Sequence, residues 1–399
     1  MVALSEVRSA NAALNKIHST STAVFVGATR GIGLATLEAF AEHIPNPTAI
    51  IIGRSRIAFA TELESLRQLN PNGTYTFIES EITLIKDIDT VCETIKRILG
   101  GSKIDLLITS QGYISFAGRE TNADGLDNSI SLRYYGRVRF TQNLLPVIAT
   151  HGRVISILAG GQEGKILEDD LDLERNYTIP QSAAQFASMT TLSFDHLAAQ
   201  NPGKSFVHAF PGLTSTGLLG RSATGVLGVV FRWVLEPVLG LFSAKAEDVG
   251  ERMLYYGTAA EFAEGSWALD EKGTSKEVEM LEGYRATGWA EKVSEHNERI
   301  PEVTRLQIGV TVEERIMFLQ LTRNEKWSSP VRRNGVLSEN ADHAVSRRCA
   351  VDEHRISEVY DDVVTGVSIV ALSALHNRLD SSASTINYIL LIARLMILV

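Results

Sequence analysis

A doubly wound α/β fold, a parallel sheet with helices on both faces, is the architecture this sequence predicts, and two observations carry it. Residues 22–33 form a β-branched run that breaks into a turn with Gly27, Gly31 and Gly33 and passes at once into a helical stretch. Short apolar strand candidates then alternate with amphipathic helices through the first two hundred residues, as in a sheet covered on both sides. At 399 residues the chain is long enough for one large α/β domain and an appendage, or for two smaller domains.

The elements follow in order. Strands are expected at 23–26, 49–52, 75–78, 104–108, 154–157 and 205–209, with helices near 32–43, 56–68, 86–99, 123–147 and 181–199 between them. Pro71-Asn72-Gly73 and Pro202-Gly203 mark two of the turns. At Thr214 the register changes. The stretch 218–242 is rich in Gly, Leu and Val but holds Arg232, Glu236 and Pro237, which reads as lid helices over a cleft rather than a membrane span. A surface helix over 246–264 and a last strand at 267–270 complete the sheet region. Past residue 300 the period decays. Segments 1–19, 20–300 (with its lid region, 214–245) and 301–399 are therefore read as an N-terminal segment, the main domain and an irregular C-terminal extension. The closing run 386–399 is apolar but contains Asn387 and Arg394, short of the roughly 20 residues that span hydrocarbon.

Composition narrows the partners. A formal charge of −9, with no run of Lys or Arg, lacks the basic footprint that nucleic acid requires. Cys92 and Cys349 are far apart, so neither a disulfide framework nor a metal site is suggested. The first nineteen residues contain no apolar core of the signal-peptide type, from which a cytoplasmic location is expected. A homo-oligomer is left open.

The glycine turn is how a nucleotide-binding βα junction reads. Glycine permits positive φ and close backbone approach, so phosphate oxygens reach bare N–H groups at the positive end of a helix. Thr29, Arg30 and Ile32 share that turn. With it placed on the first βα junction, residues 20–295 resemble the short-chain dehydrogenases/reductases, of the cast found in fungal secondary metabolism, and a Rossmann-type sheet is implied. Gly53-Arg54-Ser55-Arg56 closes the second strand, where an acidic residue would favour NAD and an arginine welcomes a 2′-phosphate; with Arg30 this points to NADP(H). Glu81 stands where the family bonds the adenine. Thr109-Ser110-Gln111-Gly112 replaces the usual Asn-Asn-Ala-Gly turn and keeps Gly112. Pro211, Gly212 and Thr214 match the segment that holds the nicotinamide carboxamide.

The resemblance implies carbonyl chemistry by a tyrosine proton donor, a lysine four residues on, a serine and an asparagine. The asparagine position is Arg133 and the serine position Ile157, with Ser156 one place early. The tyrosine and lysine positions fall at Thr178 and Ser182; a shift of one recovers Tyr177, whose partner is then Gln181. None of the ten tyrosines has a lysine four residues later. Ser156 and Tyr177 are the candidate catalytic residues that remain. Each also has a plain reading, Ser156 as a satisfied core hydroxyl and Tyr177 as an ordinary loop tyrosine. Arg133 reads either as a charged helix residue or as an oxyanion-binding cation, and His208 as core. The expected function is NADP(H)-dependent reduction of a ketone, or oxidation of an alcohol, on a hydrophobic small molecule such as a polyketide or terpenoid intermediate. A dinucleotide-binding scaffold or sensor without dehydrogenase activity is the alternative, and a non-redox isomerase or dehydratase a lesser one.

Overall fold

A computed structural model describes residues 2–17, 19–113, 115, 118–212, 214, 243–275 and 278–300. The segments expected to form the lid helices (218–242) and the C-terminal extension (301–399) lie outside the described residues.

Seven strands form one sheet: β1 Thr20–Val26, β2 Asn46–Gly53, β3 Thr74–Glu79, β4 Ile104–Thr109, β5 Ile148–Ile157, β6 Ser205–Ala209 and β7 Gly265–Leu269. Their order is β3-β2-β1-β4-β5-β6-β7, and every pairing is parallel. The chain winds outward from β1 to β3, then returns to start the other half at β4. The switch point between β1 and β4 opens a crevice at the strands' C-terminal ends.

Alternation along each strand explains why both faces need helices. Val24, Val26, Ile50, Ile52, Leu107, Val154 and Phe206 point to one side, into a core completed by α4 Ile85–Leu99, α5 Gly136–Leu144 and α6 Ile179–Gln200. Ala23, Phe25, Ile51, Ile108, Ile155 and Val207 point to the other, against α2 Gly31–His43 and α7 Ala246–Thr258. The strand residues are fully or almost fully buried on both faces, which is why they read as continuous apolar runs. The longer of the remaining described helices are α1 Leu4–Ala12, α3 Ala60–Leu69, α8 Glu279–Ala286 and α9, residues 289–300, and a single turn Leu14–Ile17 follows α1.

Three expectations are corrected. The helix expected over 123–147 is broken: residues 121–127 close a tight turn, in which Asn122 N–H donates to the Leu126 carbonyl and Asp127 then caps the Ile130 N–H. A short helical turn Asn128–Ile130, a π-helical turn Ser131–Tyr135, α5 and a 3-10 turn Leu145–Val147 follow. The helix expected from residue 56 starts at Ala60, and the one expected over 246–264 stops at Thr258. The N-terminal segment is not idle either. On α1, Val7 and Asn11 are fully buried; Asn11 Nδ2 donates to the Glu251 carbonyl at 2.9 Å, and Arg8 pairs with Asp248 at 2.6 Å, both on α7.

Cys92 is buried in α4, and burial pushes its thiol up to about 12. Among the described residues, no helix is long and apolar enough to cross a membrane.

Candidate active site at the C-terminal ends of the strands

The turn after β1 is shaped by contact. Gly27 has φ 84° and Gly31 φ 59°, in the region that favours glycine. A Cβ on Gly27 would stand 2.5 Å from the Gln111 nitrogen, so this turn and the one after β4 pack backbone to backbone. At Gly33 it would stand 2.2 Å from Ser110 Oγ. Helix α2 starts at Gly31 with no side-chain cap from Arg30, so among the described residues its first-turn N–H groups are left without a side-chain acceptor. A phosphate fits such an end.

The end of β2 lies against the same turn, since a Cβ on Gly53 would meet Thr29 Cγ2 at 2.5 Å. Arg30 and Arg54, one on each turn, are exposed, and neither has a hydrogen-bond or ion-pair partner among the described residues. Arg56 is different: its guanidinium donates to the Phe77 carbonyl and lies 5.5 Å over the Phe77 ring. Beyond β3, Glu81 Oε1 accepts from the Thr83 hydroxyl at 2.6 Å and from its neighbour Ile82 N–H at 3.1 Å.

Across the switch point the ends of β4 and β5 are tied by Arg137. Its Nη1 donates to the Thr109 carbonyl (3.1 Å), the Ile157 carbonyl (2.8 Å) and Ser156 Oγ (2.9 Å), while Nη2 donates to the Gln111 carbonyl. Burial lowers its pKa to about 9. Ser156 is fully buried on β5, so this candidate hydroxyl meets Arg137 rather than a substrate; Ile157, at the serine position, has none.

Arg133 lies one turn before Arg137, inside the π turn, and π turns recur where a helix is bent to serve a site. Its Nη2 donates to Ser182 Oγ at 2.7 Å. A Cβ on Gly112 would touch Arg133 Cγ at 3.0 Å, so the guanidinium's stem runs beneath the exposed turn after β4. Burial depresses its pKa; Tyr177, Asp127 and Tyr113 are the groups whose charge acts against that shift. Tyr177 is half-buried. Desolvation raises its pKa and Arg133 opposes the rise. Tyr113, which follows Gly112, donates to Glu120 Oε2 at 3.0 Å and is also pushed up, by burial first. No motif in the sequence singles out Tyr113 or Arg137.

Thr178 and Ser182, at the tyrosine and lysine positions, have structural tasks: Thr178 caps α6 by accepting from Gln181 N–H, and Ser182 is the acceptor for Arg133. Thr214 Oγ1 folds back on the Pro211 and Gly212 carbonyls at 3.3 Å, and Gly212 has φ 72°. Beside this segment His208 is fully buried. Its Nε2 accepts from Ala159 N–H, so Nδ1 carries the proton and donates to Thr191 Oγ1 at 2.8 Å; Thr191 in turn donates to Glu163 Oε1 at 2.6 Å. Burial lowers the His208 pKa to about 3 and raises that of Glu163.

A parallel sheet with its switch point at β1/β4, and a glycine turn at the start of α2, defines a Rossmann-type α/β protein. The profile of the short chain dehydrogenase family matches residues 21–165. Oxidoreductase AN1596 of Emericella nidulans is 37% identical over 264 residues, covering 66% of this chain and 78% of that protein. Oxidoreductase andH of Emericella variicolor is 32% identical over 329 residues, covering 74% and 96%. Among solved structures, the angucycline C-6 ketoreductase LanV with bound NADP is similar at 17% identity and a TM-score of 0.49, over 64% of this chain and 96% of that one. The chain belongs to the short-chain dehydrogenase family and is an oxidoreductase of that type.

Proposed function

We propose that the protein uses NADP(H) to reduce a ketone, or to oxidise the corresponding alcohol, on a hydrophobic small molecule of the polyketide or terpenoid kind. The observation that carries the cofactor choice is the pair Arg30 and Arg54, exposed and without a partner among the described residues, on two turns in contact through Thr29 and Gly53. A 2′-phosphate would give both guanidinium groups charge-assisted bonds that NAD(H) cannot offer. Gly27, Thr29, Gly31, Ile32 and Gly33 would hold the pyrophosphate at the α2 N-terminus, Glu81 the adenine, and Gly112, Pro211, Gly212 and Thr214 the nicotinamide end. When bound, that nicotinamide supplies or accepts a hydride.

Tyr177 is the proton donor in this reading. Desolvation and the nearby Asp127 carboxylate keep its hydroxyl protonated through neutral pH, so it has a proton to give. The capture of Ser156 by Arg137 favours one other reading, a dinucleotide-binding protein without turnover. Fluorescence titration of NADPH and NADH into wild type and Arg54→Ala, with turnover on a panel of hydrophobic ketones, tests both. A wild-type preference for NADPH that falls by roughly tenfold or more in Arg54→Ala is expected from the loss of a charge-assisted bond. Equal affinities sink the cofactor choice; tight NADPH binding without turnover on any ketone selects the second reading.

A further inference from the structure

Arg133 and Arg137 are both buried, yet among the described residues no carboxylate hydrogen-bonds either one. Arg137 explains itself, since four oxygens around the ends of β4 and β5 receive its donors. Arg133 does not. Among the described residues it has one acceptor, the Ser182 hydroxyl; its Nε, like that of Arg137, is buried without a partner, and 8% of the residue remains open to solvent. Asp127, which acts on it electrostatically, already receives the Ile130 and Glu120 N–H groups. Holding a cation in a desolvated place without a hydrogen-bonded anion is costly, and an oxyanion arriving there would be bound strongly. The Gly112 turn above Arg133 sits at the switch-point crevice, where ligands of open α/β sheets bind.

We propose that Arg133 is a catalytic residue that binds the substrate's carbonyl oxygen and stabilises the negative charge developing on it. The inference rests on reading the protein as a ketone reductase. As the hydride from NADPH bonds to the carbonyl carbon, the C=O π pair moves onto oxygen; the resulting alkoxide is paired with the guanidinium and takes a proton from Tyr177 or water, giving the alcohol and NADP+. A fixed cation thereby substitutes for the hydroxyl that Ser156 does not present.

The test reads the anion site apart from turnover. 2-Naphthol is titrated into cofactor-free wild type, Arg133→Met and Arg133→Lys, its absorption spectrum distinguishing neutral naphthol from naphtholate, and circular dichroism checks the fold. Wild type should bind naphtholate over naphthol by roughly tenfold or more, the size of a charge-assisted hydrogen bond, with Lys keeping part of the preference and Met none. In turnover, Arg133→Met should lose roughly 10² to 10³-fold in kcat, as when an oxyanion donor is removed. Its NADPH affinity should stay within twofold of wild type. Naphtholate preference unchanged in Arg133→Met overturns the proposal, as does Lys behaving like Met, or a tenfold loss of NADPH affinity, which would assign the cation to the cofactor. Failure of wild type to bind NADPH would instead remove the reductase reading, and leaves the naphtholate comparison standing.

Discussion

Ser156 Oγ accepts a hydrogen bond from Arg137 Nη1 at 2.9 Å inside a fully buried pocket between β4 and β5. The hydroxyl nearest the family's serine position thus serves the sheet. Ser156→Ala should leave kcat within about threefold and lower stability by about 1 kcal/mol, the ordinary net worth of one hydrogen bond, because Arg137 retains three carbonyl acceptors. Kinetics beside urea denaturation check it; a hundredfold fall in kcat would return Ser156 to the catalytic set.

Removing the other partner is far more damaging. Arg137→Met removes the guanidinium donors from the Thr109, Ile157 and Gln111 carbonyls, at a cost of roughly 1 to 3 kcal/mol for each one left buried and unsatisfied. A drop of at least about 3 kcal/mol in urea is expected, enough to unfold a marginal domain. A variant as stable as wild type would mean that those carbonyls find other donors.

The two arginines after β2 should separate cleanly. Arg56→Ala removes the bond to the Phe77 carbonyl and the stacking on its ring, so its effect belongs in the melt, a loss of about 1 kcal/mol, with the NADPH preference intact. A lost preference in Arg56→Ala would exchange the roles assigned to Arg54 and Arg56.

Tyr177→Phe should lower kcat by roughly 10² to 10⁴-fold, the range for a positioned acid, and leave NADPH affinity nearly unchanged. Because its pKa is raised above the ordinary tyrosine value, the donor stays protonated and wild-type kcat should hold steady as pH rises through 7 and 8. A pH–rate profile that falls in that range excludes Tyr177 as the acid.

His208 makes stability depend on pH. Its folded pKa of about 3 lies below the unfolded value of about 6.5, so the unfolded chain takes up a proton that the fold refuses. The contribution is full above 6.5 and is lost as pH falls from there toward 3. Between pH 7 and 5 wild type should lose about 2 kcal/mol more than His208→Gln, measured by denaturant titration at each pH. The Glu163 carboxyl, with a raised pKa, contributes with the opposite sign at higher pH and is common to both proteins. Parallel pH profiles would mean that His208 is protonated in the fold.

The sheet was legible because its signals are local. β-branched runs and the Gly27, Gly31 and Gly33 turn sit within a dozen residues of one another, and β6 was placed to the residue. The break at 121–127 was not legible, since a bridge and the Asp127 cap override a helical period. Nor was the docking of α1, whose buried face is little more than Val7 and Asn11 and depends on Glu251, 240 residues away. Among site residues the cofactor turn was readable, but Arg137 takes its meaning only where two strand ends converge. Arg133 could be named as a charged helix residue or an oxyanion cation; its place beneath Gly112 exists only in three dimensions.

The π turn at Ser131–Tyr135 carries one residue more than a regular helix would use over the same rise. Each residue of a regular helix advances the chain by about 100°, so trimming that surplus would swing everything upstream of Gly136 to a new bearing, Arg133 included. The chemistry of this crevice is thus exposed to a kind of genetic change that substitution scans miss. A single in-frame codon lost between 131 and 135 would turn the cation away at the expense of one side chain, and one gained in a relative with a regular helix would bring it in.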